Sequence, residues 1–340
     1  MPKIIIATDA WFPQVNGVVR CIDDLIKSLK KKRFEVVVIH PGMFFSMPFI
    51  FYPEIKISFF CKNKIRKILK KENPDYIHVV TEGPIGLACR RVCLKEKKKF
   101  TTANHTNFQV YMNYYLGKAN FFSELAYKYL KWFHKASSKT MVITEGLKQN
   151  LEKRGFLNVA VWPLGVDTDF FKRNESSKAK ENYKLEYPVF VYFGRIAKEK
   201  NVEEYLKCNL SGTKLVIGDG PLKNSLEKKY GEKNLFLGYK KGQELIDLLS
   251  MCDVFVLPSF TDTFPLAIIE AFSCKIPVAC HDVMDLKYLV LKDVGVLDEN
   301  LEKAANECLN LSKDACREYA LKFSLDESTK KFIENIVKIR

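Results

Sequence analysis

The sequence predicts an α/β protein built from two doubly wound, parallel-sheet domains, and three observations carry that prediction. Strand-like apolar runs alternate with amphipathic helical stretches along the whole chain. The alternation breaks once, at a charged segment containing Ser and Asn, and then restarts. The length of 340 residues exceeds one ordinary core and suits two.

KIIIATDA (3–10) reads as a buried strand, WFPQVNG (11–17) as a turn-rich loop, VVRCIDDLIKSLKKK (18–32) as a helix and EVVVIH (35–40) as a second strand. Two strands joined by a helix open a βαβ unit. The rhythm recurs at KIRKILKKEN and DYIHVV (64–80), then at GLACRRVCLKEKK and KFTTANH (86–105). MVITEGLKQNLEKRG (141–155) and VAVWPLGVD (159–167) complete a domain expected over 1–170, and the polar stretch 171–187 reads as a linker. The pattern resumes with strand VFVYFGR (189–195) and helix NVEEYLKC (201–208). Strands KLVIGDG (214–220), NLFLGY (234–239), CDVFVLPS (252–259) and IPVAC (276–280) then fill a second domain over 188–326. The amphipathic tail 327–340 is expected to be a helix. Ligands of such sheets bind outside the carboxyl ends of the strands, so two domains facing each other predict a cleft.

Composition narrows the class. An apolar fraction of 47%, with 25 Phe and 15 Tyr, excludes disorder. The longest apolar stretch, MFFSMPFIFYP (43–53), is too short to span a bilayer, and MPKIIIATDAW is no signal peptide, so a cytoplasmic protein is expected. The ten cysteines show no CxxC pair or zinc-like spacing and read as small apolar residues of a reducing compartment. Residues 1–150 hold 26 Lys and Arg against 11 Asp and Glu, whereas 151–340 balance at 29 each. The whole net charge of +15 therefore lies in the first half, which should face something anionic. No nucleic-acid-binding module is present. Aromatic residues beside basic helices, in MFFSMPFIFY with CKNKIRKILKK (61–71) and in ANFFSELAYKYLKWFHK (119–135), instead describe a surface lying on an anionic bilayer. Trp132 and Phe133 read as core.

Three motifs sit at strand ends. GRIAKEKN (194–201) places Arg195 and Lys200 where two cations suit a diphosphate. VIGDGP (216–221) places Gly218, Asp219 and Gly220 in a turn open to close ligand approach. PSFTDTFPLAIIEAFSCKIPV (258–278) sets Asp262 and Glu270 eight residues apart around a helix start at Phe264, Pro265 and Leu266, where free amides offer a polar site.

In this order and spacing the motifs resemble the retaining glycosyltransferases of family GT4, which have the GT-B fold. The pair Asp262 and Glu270 matches that family's E-x7-E motif, with Asp first. The resemblance extends to WFPQVNGVVR (11–20), TANHTNFQVY (102–111) and WPLGVDTDFF (162–171). It implies that Arg195 and Lys200 bind the nucleotide diphosphate and stabilise the departing group, that Asp262 holds donor-sugar hydroxyls and that Glu270 holds the ribose. It places Gly218, Asp219, Gly220 and Tyr239 in the donor site with Phe264, Pro265 and Leu266. Gly17 is implied to approach the phosphate from the first domain, and His105, with Asn107 and Tyr111, to lie near the transferred sugar and the acceptor. The tail 327–340 is implied to pack back on the first domain. Two positions depart from the family pattern: Pro265 replaces a common Gly, and Leu164 stands where Arg is frequent. The D-x-D of Asp167 and Asp169 has no third ligand in view, so no metal and no cofactor is expected.

Within the family the opening TDAWFPQVNGVVR, TEGPIGLA (81–88), HTNF and TDTF look most like bacterial glycolipid synthases, which attach glucose or glucuronic acid to diacylglycerol. The expected partners are a nucleotide-sugar, UDP-glucose first, a lipid acceptor and the inner face of the cell membrane. A GDP-mannose-dependent mannosyltransferase, or a lipopolysaccharide or polysaccharide enzyme of the same fold, is the alternative.

Overall fold

Ile4, Ile5, Ile6 and Ala7 have no exposed surface, as a strand covered on both faces requires. In the computed structural model, which describes residues 1–14, 17–49, 52–105, 120–176, 183 and 185–340, they lie in β1 (Lys3–Ala7). The first unit continues with α1 (Gly17–Lys31), β2 (Glu35–Ile39), β3 (Ser46–Phe49), β4 (Tyr52–Ser58), α2 (Cys61–Glu72), β5 (Tyr76–Val79) and α3 (Pro84–Lys95). β6 (Thr101–Asn104), α4 (Asn120–His134), β7 (Lys139–Val142), α5 (Glu145–Lys153) and β8 (Val159–Val161) follow. Its sheet has the order β2-β1-β5-β6-β7-β8, with every pairing parallel. The chain runs outward from β1 to β2 but from β5 to β8 in the other direction. Right-handed crossovers therefore put α1 on one face and α2, α3 and α4 on the other. Ile65 and Leu69 of α2, Cys89 and Val92 of α3 and Phe133 of α4 share one core cluster with Ile5 and Ile77 of the sheet. The apolar stretch at 43–53 contributes to an antiparallel β3–β4 hairpin, in which Met47 pairs with Ile57.

The second unit contains β9 (Val189–Phe193), α6 (Val202–Lys207), β10 (Thr213–Ile217), α7 (Lys223–Tyr230), β11 (Leu235–Gly238), α8 (Gly242–Leu249) and β12 (Val254–Leu257). α9 (Leu266–Ser273), β13 (Val278–Cys280), β14 (Gly295–Leu297), α10 (Leu301–Cys308) and α11 (Lys313–Leu321) complete it. The sheet order is β11-β10-β9-β12-β13-β14, again all parallel.

The boundaries differ from those expected. The first unit comprises Met1–Gly165 and Leu325–Arg340, and the second Val166–Ser324. Residues 171–175, read as the start of a linker, belong to the second unit because their polar groups are satisfied there. Asn174 N donates to Ser250 Oγ (2.8 Å) and its Nδ2 to Asp247 Oδ1 (2.7 Å). Arg317 Nη1 donates to three carbonyls, of Thr168 (2.7 Å), Phe171 (3.0 Å) and Ser273 (3.2 Å). The tail joins the first unit through α12 (Leu325–Asn335), two residues earlier than expected. α12 packs beside α1, with Trp162 Nε1 donating to Ser328 Oγ (3.2 Å) and Ile339 N to Asp75 O (3.0 Å).

Arg317→Ala removes the shared donor of three carbonyls, so the second unit should lose about 2–3 kcal/mol of stability. Urea denaturation followed by fluorescence measures it; an unchanged midpoint contradicts the role. All ten cysteines are free, and burial pushes thiols such as Cys21 and Cys316 up to about 12.

Candidate functional site

In the second unit the polar residues gather where the parallel strands end. β9 leads through the exposed Gly194 and Arg195, whose backbone carbonyl accepts from Tyr192 Oη (2.7 Å), to a 3₁₀ turn at Lys198–Lys200. Lys200 Nζ lies 2.6 Å from Asp262 Oδ1 in the loop after β12. Both side chains are largely enclosed, 24% and 14% exposed. Asp262 Oδ2 is buried and has no hydrogen-bond partner among the described residues. A carboxylate with one oxygen on a cation and the other buried without a partner among the described residues can accept a hydroxyl. The hydroxyls of Ser259 and Thr261 donate to Glu199 O (3.2 and 3.3 Å), tying the loop of Asp262 to the turn of Lys200.

After that loop α9 begins at Leu266, preceded by Pro265 in an extended conformation at the N-cap. A proline there removes one of the free amides that a helix start offers. Glu270, one turn into α9, is only 4% exposed. Phe264 is buried and packs on Phe323, with ring centroids 5.9 Å apart. Its side chain is thus part of the core, which leaves its backbone for any ligand.

The glycines of VIGDGP, expected to admit a ligand closely, also meet the chain's own backbone closely. Gly218 and Gly220 have φ of +151° and +156°, and an added Cβ would lie 1.9 Å from Gly194 O and 2.3 Å from Ile196 O respectively. Close approach there is to the chain's own backbone, where Ile196 N donates to Asp219 O (2.8 Å). These glycines hold the β9 turn against β10 and so place Arg195. Asp219 is exposed and bonds its own neighbour's amide, Gly220 N (2.7 Å); Tyr239, beyond β11, is 68% exposed.

In the first unit His105 follows β6. Both ring nitrogens are buried without a hydrogen-bond partner among the described residues, and the ring meets Trp162 edge-on at 5.7 Å. Burial lowers its pKa to about 4, against the pull of Glu82, so the imidazole is neutral at pH 7. Asn107 and Tyr111 lie outside the described residues. At Gly17 an added Cβ would meet nothing within 4 Å, so no steric crowding requires glycine there.

Sequence reasoning missed Glu82, which acts electrostatically on His105, and further buried polar groups of the first unit. Glu82 Oε1 lies 3.1 Å from His134 Nε2, and His134 Nδ1 2.8 Å from Thr102 Oγ1. Asp9 accepts from the first amides of α3, Ile85 N (2.8 Å) and Gly86 N (3.3 Å), while burial lifts its carboxyl above the ordinary value. These residues stand in single copies, with Glu82 and His134 52 positions apart and Thr102 and His134 32 apart, so no local spacing announces them. Among the described residues no group of three or more His, Cys, Asp or Glu could hold a metal ion. A cavity of about 410 Å³ lined by Tyr187, Pro188, Asp253 and Lys313 opens at the opposite, amino-terminal edge of the second sheet, away from Lys200.

Two family descriptions match in tandem: Glycosyltransferase Family 4 over residues 15–170 and Glycosyl transferases group 1 over residues 173–315. The chain is 27% identical to a sulfoquinovosyl transferase of Arabidopsis thaliana, over 78% of this chain and 57% of that protein. It is 26% identical to the alpha-monoglucosyldiacylglycerol synthase of Acholeplasma laidlawii, over 83% and 81%. With a GDP-mannose-dependent alpha-mannosyltransferase of Corynebacterium glutamicum it shares 22% identity over 81% and 71%. Among solved structures, sucrose-phosphate synthase from Thermosynechococcus elongatus superposes with a TM-score of 0.74 at 16% identity, covering 98% of each chain.

Proposed function

Because the chain belongs to the family 4 glycosyltransferases and has their GT-B fold of two Rossmann-like units, we propose that it transfers a hexose from a nucleotide-sugar to a membrane lipid, with retention. UDP-glucose is the favoured donor and diacylglycerol the favoured acceptor, in keeping with the name of the Acholeplasma relative.

The observation that carries this reading is the Lys200–Asp262 pair, with the exposed Arg195 five residues before Lys200 in the same loop and the buried Glu270 one turn into the next helix. On donor binding Lys200 exchanges the carboxylate of Asp262 for diphosphate oxygens, joined there by Arg195. Asp262, released, accepts from sugar hydroxyls; Glu270 accepts from the ribose, and the backbone near Phe264 and Leu266 meets sugar or phosphate. The bond from the anomeric carbon to the diphosphate breaks as the acceptor hydroxyl attacks the same face, and the hydroxyl proton passes to the departing phosphate. Negative charge grows on that group, and cations already in place stabilise it without reorganisation. In the first unit the neutral His105 has two ring nitrogens without a partner among the described residues, open to a hydroxyl, a contact that an imidazolium would make at a desolvation cost.

The lipid reading draws on one face of the first unit. α2 exposes Lys62, Lys64, Arg66, Lys67, Lys70 and Lys71. Phe60, at its N-cap, is 91% exposed, and Phe45, Met47 and Phe59 are also exposed. On α4, Leu125, Tyr129 and Trp132 make an exposed stripe at helical spacing. Trp132, expected in the core, is 46% exposed, with the Arg90 guanidinium 4.0 Å from its ring, while Phe133 is fully buried. Basic and apolar side chains on one surface suit the interface of an anionic bilayer. No helix among the described residues is long and apolar enough to cross a membrane.

Glu at both Lys67 and Lys70 should weaken flotation with anionic liposomes by roughly tenfold or more in low salt, converging with wild type at high salt. Unchanged flotation places attachment elsewhere. The activity is tested with purified protein on anionic liposomes containing diacylglycerol, offered UDP-glucose, UDP-glucuronic acid, UDP-galactose and GDP-mannose separately. A hexosyl- or glucuronosyl-diacylglycerol in the mass spectrum of the extracted lipids supports the reading. No lipid product from any donor, with nucleotide still bound, redirects it to a saccharide acceptor.

A further inference from the structure

We propose that Asn201, Glu204 and His281 are positioning residues, which hold Lys200 where a diphosphate meets it; this rests on the donor reading above. Lys200 ends its 3₁₀ turn, and the next residue, Asn201, is left-handed at φ 51°, ψ 35°. Asn adopts that conformation more readily than other residues with a Cβ, and it persists where the surroundings hold it. The surroundings do so here. Asn201 Nδ2 donates to the carboxylate of Glu204 and to Pro258 O (3.3 Å), just before the loop that carries Asp262. Glu204 Oε1 in turn lies 3.0 Å from His281 Nε2, at ion-pair distance though not aligned as a hydrogen bond. His281 follows β13, is 3% exposed, and is covered by Phe260, whose ring stacks on it at 4.1 Å and 15°. The turn of Lys200 is thereby tied to the ends of β12 and β13 through Asn201, Glu204 and His281, beside the Ser259 and Thr261 hydroxyls on Glu199 O.

The reach of Lys200 depends on that anchoring. Its ammonium is a point charge on a flexible stem, so the backbone turn from which the stem starts sets where the charge can go. Without the Glu204 anchor the left-handed turn relaxes, and the amine no longer meets Asp262 or a phosphate that replaces it.

Isothermal titration with UDP and UMP, and with GDP and GMP, tests the proposal through the diphosphate-to-monophosphate affinity ratio. Glu204→Ala should lower the ratio roughly fivefold to tenfold, whereas Glu204→Gln, which still accepts from Asn201, should restore most of it. In a Lys200→Ala background Glu204→Ala should add nothing. The proposal is overturned if the Glu204→Ala loss persists in that background, if it falls equally on mono- and diphosphate, or if Gln does no better than Ala. A different result sinks the donor reading instead: a wild type that binds neither diphosphate, or a Lys200→Ala variant that binds one as tightly as wild type.

Discussion

Lys200→Ala will cut sugar transfer by roughly 10²- to 10³-fold while leaving the melting temperature and liposome flotation close to wild type. The magnitude follows from what is lost. One preorganised charge at a departing anion is worth about 2.7–4 kcal/mol of barrier when it acts in an enclosed site. Lys200 qualifies because its side chain is three-quarters enclosed and already held against a carboxylate. Removal leaves Asp262 without its cation, and a partly buried carboxylate without a partner repels the incoming diphosphate. The loss should fall on kcat as well as KM, since charge on the diphosphate is greatest in the transition state. Asp262→Asn should behave differently, keeping UDP affinity but losing turnover with the sugar-nucleotide. Full activity in Lys200→Ala would overturn the diphosphate assignment.

Acid will destabilise the first unit, and the buried His78 will account for a measurable share. His78 is fully buried on β5, with Nδ1 2.9 Å from Thr101 Oγ1 and its ring edge-on to Trp162 and Phe332. Burial, reinforced by the nearby His105, lowers its pKa to about 3. The unfolded chain, with an ordinary histidine near 6.5, binds the proton more readily than the native fold does. The stabilisation is therefore complete above pH 6.5 and is lost as pH falls from 6.5 toward 3. The slope is about 1.4 kcal/mol per pH unit, so His78 alone removes about 3 kcal/mol by pH 4.5. His105 acts in the same direction down to about 4. Urea denaturation between pH 7.5 and 4.5 measures the slope, and His78→Gln should flatten it by the share of one group. An equal slope in that variant would show that His78 does not carry the linkage.

Much of the molecule was legible in the order of its residues. Most strands of the two parallel sheets coincide with an apolar run such as KIIIA, VFVYF or VFVL, because a strand buried on both faces needs side chains that cost nothing to bury; β6, TTAN, is mostly polar, and β14, Gly295–Leu297, was not anticipated. Arg195, Lys200, Asp262 and Glu270 were legible because they follow strand ends in a fixed order. What stayed hidden depended on partners far along the chain. Residues 168–171 are held in the second unit by Arg317, 149 residues from the carbonyl of Thr168 that it bonds. Trp132 carries the composition of a core residue, yet it lies on the outer side of α4 and its covering group is Arg90 of the neighbouring helix.

The sequence by itself determined two parallel α/β sheets, a first half carrying all the net charge, and the cations and carboxylates at the strand ends, because periodicity, composition and spacing are properties of neighbours along the chain. Only the tertiary structure decided that Lys200 rests on Asp262, that Gly218 and Gly220 serve the turn of Arg195, and that Glu204 and His281 steady the residue after Lys200. Those facts depend on which strand ends the sheet order β9-β12-β13 brings side by side, and hydrogen bonds across strands follow position in space, not distance in sequence.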